Sequence, residues 1–360
     1  MMLAHPAASR FDAWSFSGDE DENNELGINE LRWRARYDAL LLQGYQLRPR
    51  YQPNWIPSWT ITNKSREFCE DGVTNVLLEV LDAKKLDDNK TVWMKAVSND
   101  SIELKIARML SPTVKPNPNN HCVPILDMIP DPLNPQNIIL VMPSLRPCNN
   151  PDFDTVEEIM DFIGQTIEGL SFLHSNGVAH RDCWTTNIMM DGQVLFPGGY
   201  HPILIDYTPD LSRDARALKR SGHPIKYYFI DFGLASSFSV GESPYVLGTK
   251  GANRDAPELS NSIPYNAFML DVYTLGRVYQ VEVLQKFSNV DFLRPLVTAM
   301  TDKQPERRPT AEAALKMFQS IRKYAEARGG RAVRWNETAT EQVVNAISSA
   351  ITTITSFKLT

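Results

Sequence analysis

One stretch decides the fold of this chain: Val178-Ala179-His180-Arg181-Asp182-Cys183-Trp184-Thr185-Thr186-Asn187-Ile188-Met189-Met190. It holds a His-Arg-Asp tripeptide, and an asparagine stands five positions after the aspartate. Alone, the tripeptide is common and is typical of a surface turn. It gains weight because other distinctive motifs stand before and after it in a fixed order.

Before the stretch, a lysine in a predicted strand precedes a glutamate on a predicted helix. The lysine is Lys95 in Thr91-Val92-Trp93-Met94-Lys95-Ala96, and Glu103 lies on the helix predicted over 101–111. After the stretch, an aromatic strand predicted over 226–230 leads into an Asp-Phe-Gly motif. Further motifs follow, namely Asp231-Phe232-Gly233, Ala256-Pro257-Glu258, Asp271 in a helical pattern, and Arg308 before Pro309.

In this order the motifs resemble the eukaryotic protein kinase family over roughly residues 60–327. The resemblance implies an α+β, two-lobed protein kinase-like fold. A small β-rich N-lobe with one αC helix covers 60–142, and a larger, mostly helical C-lobe covers 146–327. Around this domain we predict a mobile acidic segment (1–24), an N-terminal helix and extended arm packed on the domain (25–59), and a tail with an amphipathic helix (328–360).

The resemblance also implies a role for each matching residue. Asp182 is the catalytic base, while Lys95, paired with Glu103, binds the α- and β-phosphates of ATP. Asn187 and Asp231 bind Mg²⁺, and Asn187 counts as catalytic with Asp182 and Lys95. The residues expected to contact adenine are Val76, the gatekeeper Met142, the hinge residues Ser144 and Leu145, and Met189 beneath the ring.

Three further matches are structural. Glu258 and Arg308 are expected to form a buried ion pair, and Asp271 is expected to brace the backbone of the loop that carries Asp182.

The sequence departs from the family at the phosphate-binding loop. The segment that precedes Lys95 in the family's order, 68–76, has one glycine and the two acids Glu70 and Asp71. Backbone amides of a glycine-rich loop close over phosphates, whereas carboxylates repel them. The sequence therefore lacks the family's usual means of closing a loop over the phosphates.

A second departure is Trp184, which stands where serine/threonine kinases place a lysine that touches the transferred phosphate. Tyrosine kinases use an arginine at this position or two residues later, where this chain has Thr186. An indole carries no charge, so a replacement cation has to come from elsewhere. The candidates are Arg213, Arg216, Lys219, Arg220 and Lys250.

Two more departures concern loops. Residues 195–224 form an insert, for which a solvated decoration is favoured over a substrate-side or regulatory element. Only 286–291 separates two C-lobe helices, so the family's helix G, a docking surface for protein partners, is expected to be missing or minimal. Arg181 is a candidate partner for a phosphate on the activation segment, and the sequence does not rank the acceptors there.

Bulk properties exclude several classes of function. The net charge of −6 argues against nucleic-acid binding. No apolar run approaches the roughly 20 residues of a membrane span, and residues 1–10 lack the apolar core of a signal peptide. Four scattered cysteines are typical of reduced thiols, so we expect a cytoplasmic or nuclear protein.

The sequence thus favours an ATP- and Mg²⁺-dependent protein kinase that acts on a protein hydroxyl, Ser/Thr rather than Tyr. Its protein substrate or regulatory partner stays unidentified. The first alternative is a pseudokinase, a nucleotide-binding regulatory or scaffold module, which the glycine-poor loop and Trp184 favour. The second is a small-molecule kinase, which Glu258 and Arg308 disfavour.

Overall fold

The computed structural model describes residues 25–75, 77–326 and 332–335. Within these residues the chain forms two compact units. The first contains the residues up to Thr113 together with 124–144 and 196–217, and the second contains the rest. One boundary falls between Ser144 and Leu145, inside the predicted hinge.

The first unit is built on a five-stranded antiparallel sheet of order β1-β2-β3-β5-β4. The strands are β1 (Tyr45–Leu47), β2 (Val80–Lys85), β3 (Thr91–Ser98), β4 (Asp127–Pro130) and β5 (Asn137–Pro143). The helices of this unit are α1 (Ile28–Arg34), α2 (Tyr37–Leu42), the short α3 (Trp59–Thr62) and α4 (Ile102–Leu110). Val92, Met94 and Ala96 alternate along β3 and are buried, so one face of the sheet forms the core.

The arm over 25–59 is more than a packed extension of the domain. Its residues Tyr45–Leu47 form the edge strand β1, with Tyr45 opposite Lys85 and Leu47 opposite Ala83. The N-terminal helix predicted within 25–59 is two helices, α1 and α2. Trp33 and Leu40 on these helices are buried in the same core cluster as β2 and β3.

Ion pairs with buried side chains fasten this arm to the sheet. Arg36 donates to both carboxylate oxygens of Asp131 at 2.9 and 2.6 Å. Arg48 donates to Asp82 of β2 at 3.1 Å. Because removing one partner of a buried pair costs about 3–5 kcal/mol, these contacts make the arm part of the folded unit.

Two strands begin at later residues than the sequence pattern predicts. The apolar run 76–81 predicts a strand from Val76, but β2 begins at Val80, since Asn75 accepts from the Leu77 amide and donates to the Val80 carbonyl in a local turn. Val76 itself lies outside the described residues. The apolar run 123–126 predicts another strand, but the structure has β4 at Asp127–Pro130, because Pro124 has no N–H to give to a ladder.

The connection between β1 and β2 replaces the glycine-rich turn that the family places there. It runs over 48–79, so the acidic segment 68–76 is only its last part. Within it, the Asp71 carboxylate accepts from the Trp55 indole at 2.9 Å and from the Ser58 amide at 2.8 Å. The Ser58 hydroxyl donates to the other carboxylate oxygen and, together with these two bonds, holds the pKa of Asp71 below its usual value in spite of burial. The two acids expected to face phosphates are therefore part of a folded connection.

The insert predicted at 195–224 is divided, and residues 196–217 belong to the first unit. His201 is buried, and its Nδ1 accepts from the amides of Ile203 and Leu204. Its Nε2 then carries the proton and lies 3.7 Å from a Glu70 carboxylate oxygen of the β1–β2 connection. This part of the insert is packed against the connection, not solvated along its whole length.

The second unit is mainly helical. Its helices are α5 (Val156–Ser175), α6 (Ala267–Tyr279), α7 (Arg294–Met300) and α8 (Ala311–Glu326), and a π-helical segment (Gln280–Leu284) continues α6. α5 begins at a capping box, in which Thr155 accepts from the Glu158 amide and Glu158 accepts from the Thr155 amide. Its buried stripe is the one that the helical period predicts.

Short strands accompany these helices. They are β6 (Arg146–Pro147), β7 (Val178–Ala179), β8 (Ile188–Met190), β9 (Tyr227–Phe229), β10 (Ser236–Ser237), β11 (Tyr245–Gly248) and β12 (Ser260–Asn266). They pair as β6-β8-β9, β10-β7 and β11-β12. In the described chain, no helix stands between Leu284 and Asp291, which agrees with the expected lack of helix G.

The remaining predictions concern the two ends of the chain, the cysteines and membrane spans. The acidic segment 1–24 lies outside the described residues, and so does the part of the 328–360 tail whose apolar pattern predicts the amphipathic helix, 340–357. The four cysteines are buried free thiols, as expected. Among the helices that the structure describes, none is both long and apolar enough to cross a membrane.

Candidate active site

Lys95 and Glu103 form the ion pair that the sequence predicts. Lys95 lies in β3 opposite Leu140, and its Nζ is 2.9 and 2.7 Å from the two carboxylate oxygens of Glu103. Ser101 caps α4 by accepting from the Leu104 amide at 3.2 Å, which fixes where Glu103 stands in the first turn. The side chains are 20% and 10% exposed, so the lysine is held while it stays accessible to an anion.

Asp271 braces the loop that carries Asp182, as predicted. Its carboxylate is fully buried in α6 and accepts from the His180 amide at 2.8 Å and the Arg181 amide at 2.6 Å. The His174 ring donates to the same carboxylate at 3.0 Å. Arg181 has a φ of +66°, a conformation that costs a non-glycine residue energy, and the two hydrogen bonds offset that cost.

Asp182 and Asn187 are joined directly. The Asn187 side-chain amide donates to the Asp182 carboxylate at 2.9 Å and to the Asp182 carbonyl at 3.0 Å. Both donations use Nδ2, so Oδ1 of Asn187 remains the atom able to bind a cation. The other Asp182 carboxylate oxygen accepts from the backbone amide of Ala252 at 2.8 Å.

Asp231 lies at the same end of the β8–β9 pair as Asn187. The Ile230 amide donates to the Asn187 carbonyl at 3.0 Å, and the His180 ring donates to the Ile230 carbonyl at the same distance. Asp231 has a φ of +59° and an exposed side chain. The second unit therefore brings Asp182, Asn187 and Asp231 together.

The donor set suits magnesium with a phosphate ligand. In the described ranges, no group of three His, Cys, Asp or Glu side chains could hold a metal by itself. Asp231 and Asn187 supply a carboxylate and an amide oxygen, and Mg²⁺ commonly takes only one or two protein ligands beside phosphates and water. The assignment of both residues to the metal stays a prediction.

The residues expected around adenine are divided between the two units. Met142 lies in β5 opposite Trp93 and is half-buried, and Ser144 is buried. Leu145 and Met189 belong to the second unit and are half-buried, with Met189 opposite Tyr228. Their contact with a nucleotide stays a prediction.

The Glu258–Arg308 pair is present and buried. The arginine donates to both carboxylate oxygens at 2.5 and 2.9 Å, with side-chain exposures of 0% and 8% for Arg308 and Glu258. This pair anchors the end of the activation segment, in line with its predicted structural role.

One candidate for the missing cation was wrong. Arg220 is 2% exposed and donates to the carbonyls of Cys148 and Pro151 and to the hydroxyl of Tyr227. These acceptors surround the guanidinium inside the second unit, so Arg220 cannot contact a phosphate at the site. Trp184 is half-buried.

Two contacts were not anticipated. Arg181, the candidate partner for a phosphate on the activation segment, donates to the Leu247 carbonyl at 2.9 Å and more weakly to the hydroxyls of Ser236 and Tyr265, and its pairing with a phosphate stays a prediction. The Ala252 amide on Asp182 was also missed. Its only sequence signal is Gly251, which has a φ of +131°.

Comparisons with known proteins agree with this geometry. The chain is 28% identical over 123 residues to the serine/threonine-protein kinase ppk8 and 30% identical over 138 residues to the serine/threonine-protein kinase chk1, both of Schizosaccharomyces pombe. These matches cover 34% and 35% of this chain, and the chain spans 19% of each relative. The putative serine/threonine-protein kinase R436 of Acanthamoeba polyphaga mimivirus is 23% identical over 273 residues, 69% of this chain and 88% of that protein.

The profile of the protein kinase domain matches residues 78–290, more than half of the chain. The match begins just before β2 and ends beyond α6, and so takes in both the Lys95–Glu103 pair and the loop of Asp182. By its fold and by this match, the chain belongs to the protein kinase family.

Proposed function

We propose that the chain is an ATP- and Mg²⁺-dependent protein kinase that phosphorylates a serine or threonine hydroxyl, with Asp182 as the catalytic base. The observation that carries the proposal is the hydrogen-bonded group of Asp182 and Asn187, held on the buried Asp271 next to Asp231. Packing alone gives carboxylates no reason to gather, whereas a metal–phosphate site does. The printed names of the relatives support serine or threonine as the acceptor.

When bound, Mg²⁺–ATP supplies the phosphoryl group, and the metal neutralises its charge. Asp182 accepts the proton of the acceptor hydroxyl. The freed oxygen forms a bond to the γ-phosphorus, and the bond from that phosphorus to the bridging oxygen breaks, which releases ADP. Each Asp182 oxygen carries one donated hydrogen bond, from Ala252 or Asn187, and so keeps a lone pair for the proton.

Lys95 supplies the positive charge for the α- and β-phosphates. Its salt bridge to Glu103 fixes the ammonium in place before nucleotide arrives, so less ordering has to occur on binding. Asn187 and Asp231 would hold the metal, the first through its side-chain amide oxygen and the second through its carboxylate. These roles follow the family's pattern at the matching positions.

The competing proposal is a nucleotide-binding pseudokinase. It is supported by Trp184, which brings no charge to the transferred group, and by the 48–79 connection in place of a glycine-rich loop. Loss of one electrostatic donor typically lowers a rate by about 10²–10³-fold. We therefore expect slow transfer to generic peptides with measurable ATP–Mg²⁺ binding.

Thermal shift with ATP–Mg²⁺ or ATP–EDTA, followed by a radiometric transfer assay, separates the two proposals. Asp182→Asn is the matched control because it keeps the shape of the side chain and one of its two acceptor oxygens but removes the base. Binding in both proteins with transfer only in the natural sequence supports the kinase. Binding with equal background transfer supports the pseudokinase, and no binding at all contradicts both.

A further inference from the structure

Part of the activation segment lies directly on the catalytic carboxylate. The Ala252 amide donates to Asp182 at 2.8 Å, and a Cβ placed on Gly251 would be 3.2 Å from the same carboxylate oxygen. Gly251 also has a φ of +131°, which side-chain-bearing residues rarely adopt. This contact fixes the position of 250–254 relative to the reacting hydroxyl.

Two cations flank that contact. Lys250 and Arg254 stand two residues to either side of Ala252, and both are exposed. Consecutive Cα atoms are about 3.8 Å apart, so each Cα lies within about 7.6 Å of the Cα of Ala252. Among the described residues, neither cation has an ion pair.

The neighbouring charges do not cancel these two. Asp255 pairs with Arg277 at 2.9 Å, and Glu258 pairs with the buried Arg308. Arg181 is occupied by the Leu247 carbonyl. The exposed charges of 250–254 are therefore both positive and stand on either side of the residue that donates to the Asp182 carboxylate, although the chain as a whole carries a net charge of −6.

We propose that Lys250 and Arg254 select protein substrates in which acidic side chains stand next to the acceptor hydroxyl. The inference rests on the proposed function, since it names the substrate class of the same site. A positive patch at the acceptor position favours a partner of opposite charge and disfavours a basic one. Two unit charges about 4 Å apart in water interact strongly enough to change affinity roughly fivefold, so the two cations together give roughly 25-fold.

The test uses three peptides that share one serine and differ in their flanking residues, which are Asp/Glu, Gln or Lys/Arg. Binding to the full chain is measured by fluorescence anisotropy without ATP, and transfer is measured separately with ATP–Mg²⁺. The variants are Lys250→Glu, Arg254→Glu and the double change. Lys303→Glu serves as the control, because Lys303 is an exposed cation of the same unit elsewhere in the chain.

We expect the acidic peptide to bind at least tenfold more tightly than the basic one at low salt. The double change should reverse that order, whereas Lys303→Glu should leave it unchanged. Higher salt should weaken the preference. If the charge reversals destabilise the chain, Lys250→Ala and Arg254→Ala remove the cations more mildly and should abolish the preference.

The experiment separates failure of the proposed kinase activity from failure of the inferred preference for acidic substrates. Charge-dependent binding without transfer supports the inference and overturns the proposed kinase activity. Transfer to all three peptides with no charge preference leaves the activity standing and overturns the inference. Equal binding of the peptides, tighter binding of the basic peptide, or no binding of any peptide also overturns it.

Discussion

Removal of Arg308 tests the anchor of the activation segment. The side chain is fully buried and donates to both oxygens of Glu258, to the Asp302 carbonyl at 2.7 Å and to the Met269 carbonyl at 2.9 Å. Its guanidinium also lies 4.5 Å from the ring centre of Tyr273. Arg308→Ala deletes all of these contacts and leaves the Glu258 carboxylate buried without its cation.

Breaking one half of a buried ion pair costs about 3–5 kcal/mol. In a domain of 150–250 residues, each kcal/mol shifts Tm by roughly 2–4 °C, so Arg308→Ala should lower Tm by roughly 6–20 °C. Asp182→Ala removes a half-exposed carboxylate and two hydrogen bonds, and its Tm should fall by only about 4 °C or less. Differential scanning calorimetry of both variants measures the contrast.

Glu258→Ala and the double variant complete a thermodynamic cycle. Because the double variant leaves neither charge buried alone, its loss of stability should be smaller than the sum of the two single losses. Equal Tm values for Arg308→Ala and Asp182→Ala would refute the assignment of a buried, stabilising pair. Additive single losses would show that the two side chains act independently.

Three further outcomes are expected. Trp184→Lys should restore a cation and raise the transfer rate by up to about 10²-fold in a radiometric assay, and an unchanged rate would show that another group already supplies the charge. Lys95→Met should abolish the thermal shift by ATP–Mg²⁺, whereas the exposed Lys303→Met should retain it. Burial lowers the pKa of His121 to about 4, so the unfolded chain binds the extra proton and stability should fall by up to about 3 kcal/mol as pH falls from about 6.5 to 4. Urea unfolding at several pH values measures this loss, which His121→Asn should reduce.

Patterns confined to a short stretch of sequence predicted much of the fold. The apolar period and the capping residue Thr155 place α5, and Ser101 places α4. The Lys95–Glu103 and Glu258–Arg308 pairs followed from the family's motif order, because buried charges of this kind need a partner.

The sequence could not predict contacts between segments that are far apart in the chain or that carry no distinctive sequence pattern. β1 has only three residues, lies near prolines and becomes a strand only through its partner β2. Arg220 has the charge expected of a surface residue, and only the fold shows that backbone carbonyls surround it. The Ala252 amide has no side-chain signature, since every residue except proline carries such a group.

The edge strand β1 also determines where the smallest folding unit begins. A chain cut at residue 60, or at the start of the family match at 78, would lose β1 and expose the backbone of β2 as a new sheet edge. Asp82 would lose its partner Arg48, and Asp131 would lose Arg36. Both carboxylates would then be buried without a cation. Unpaired strand edges recruit other chains, so such fragments would self-associate instead of folding. We therefore expect the autonomous domain of this chain to begin near α1, about fifty residues before the match to the protein kinase family.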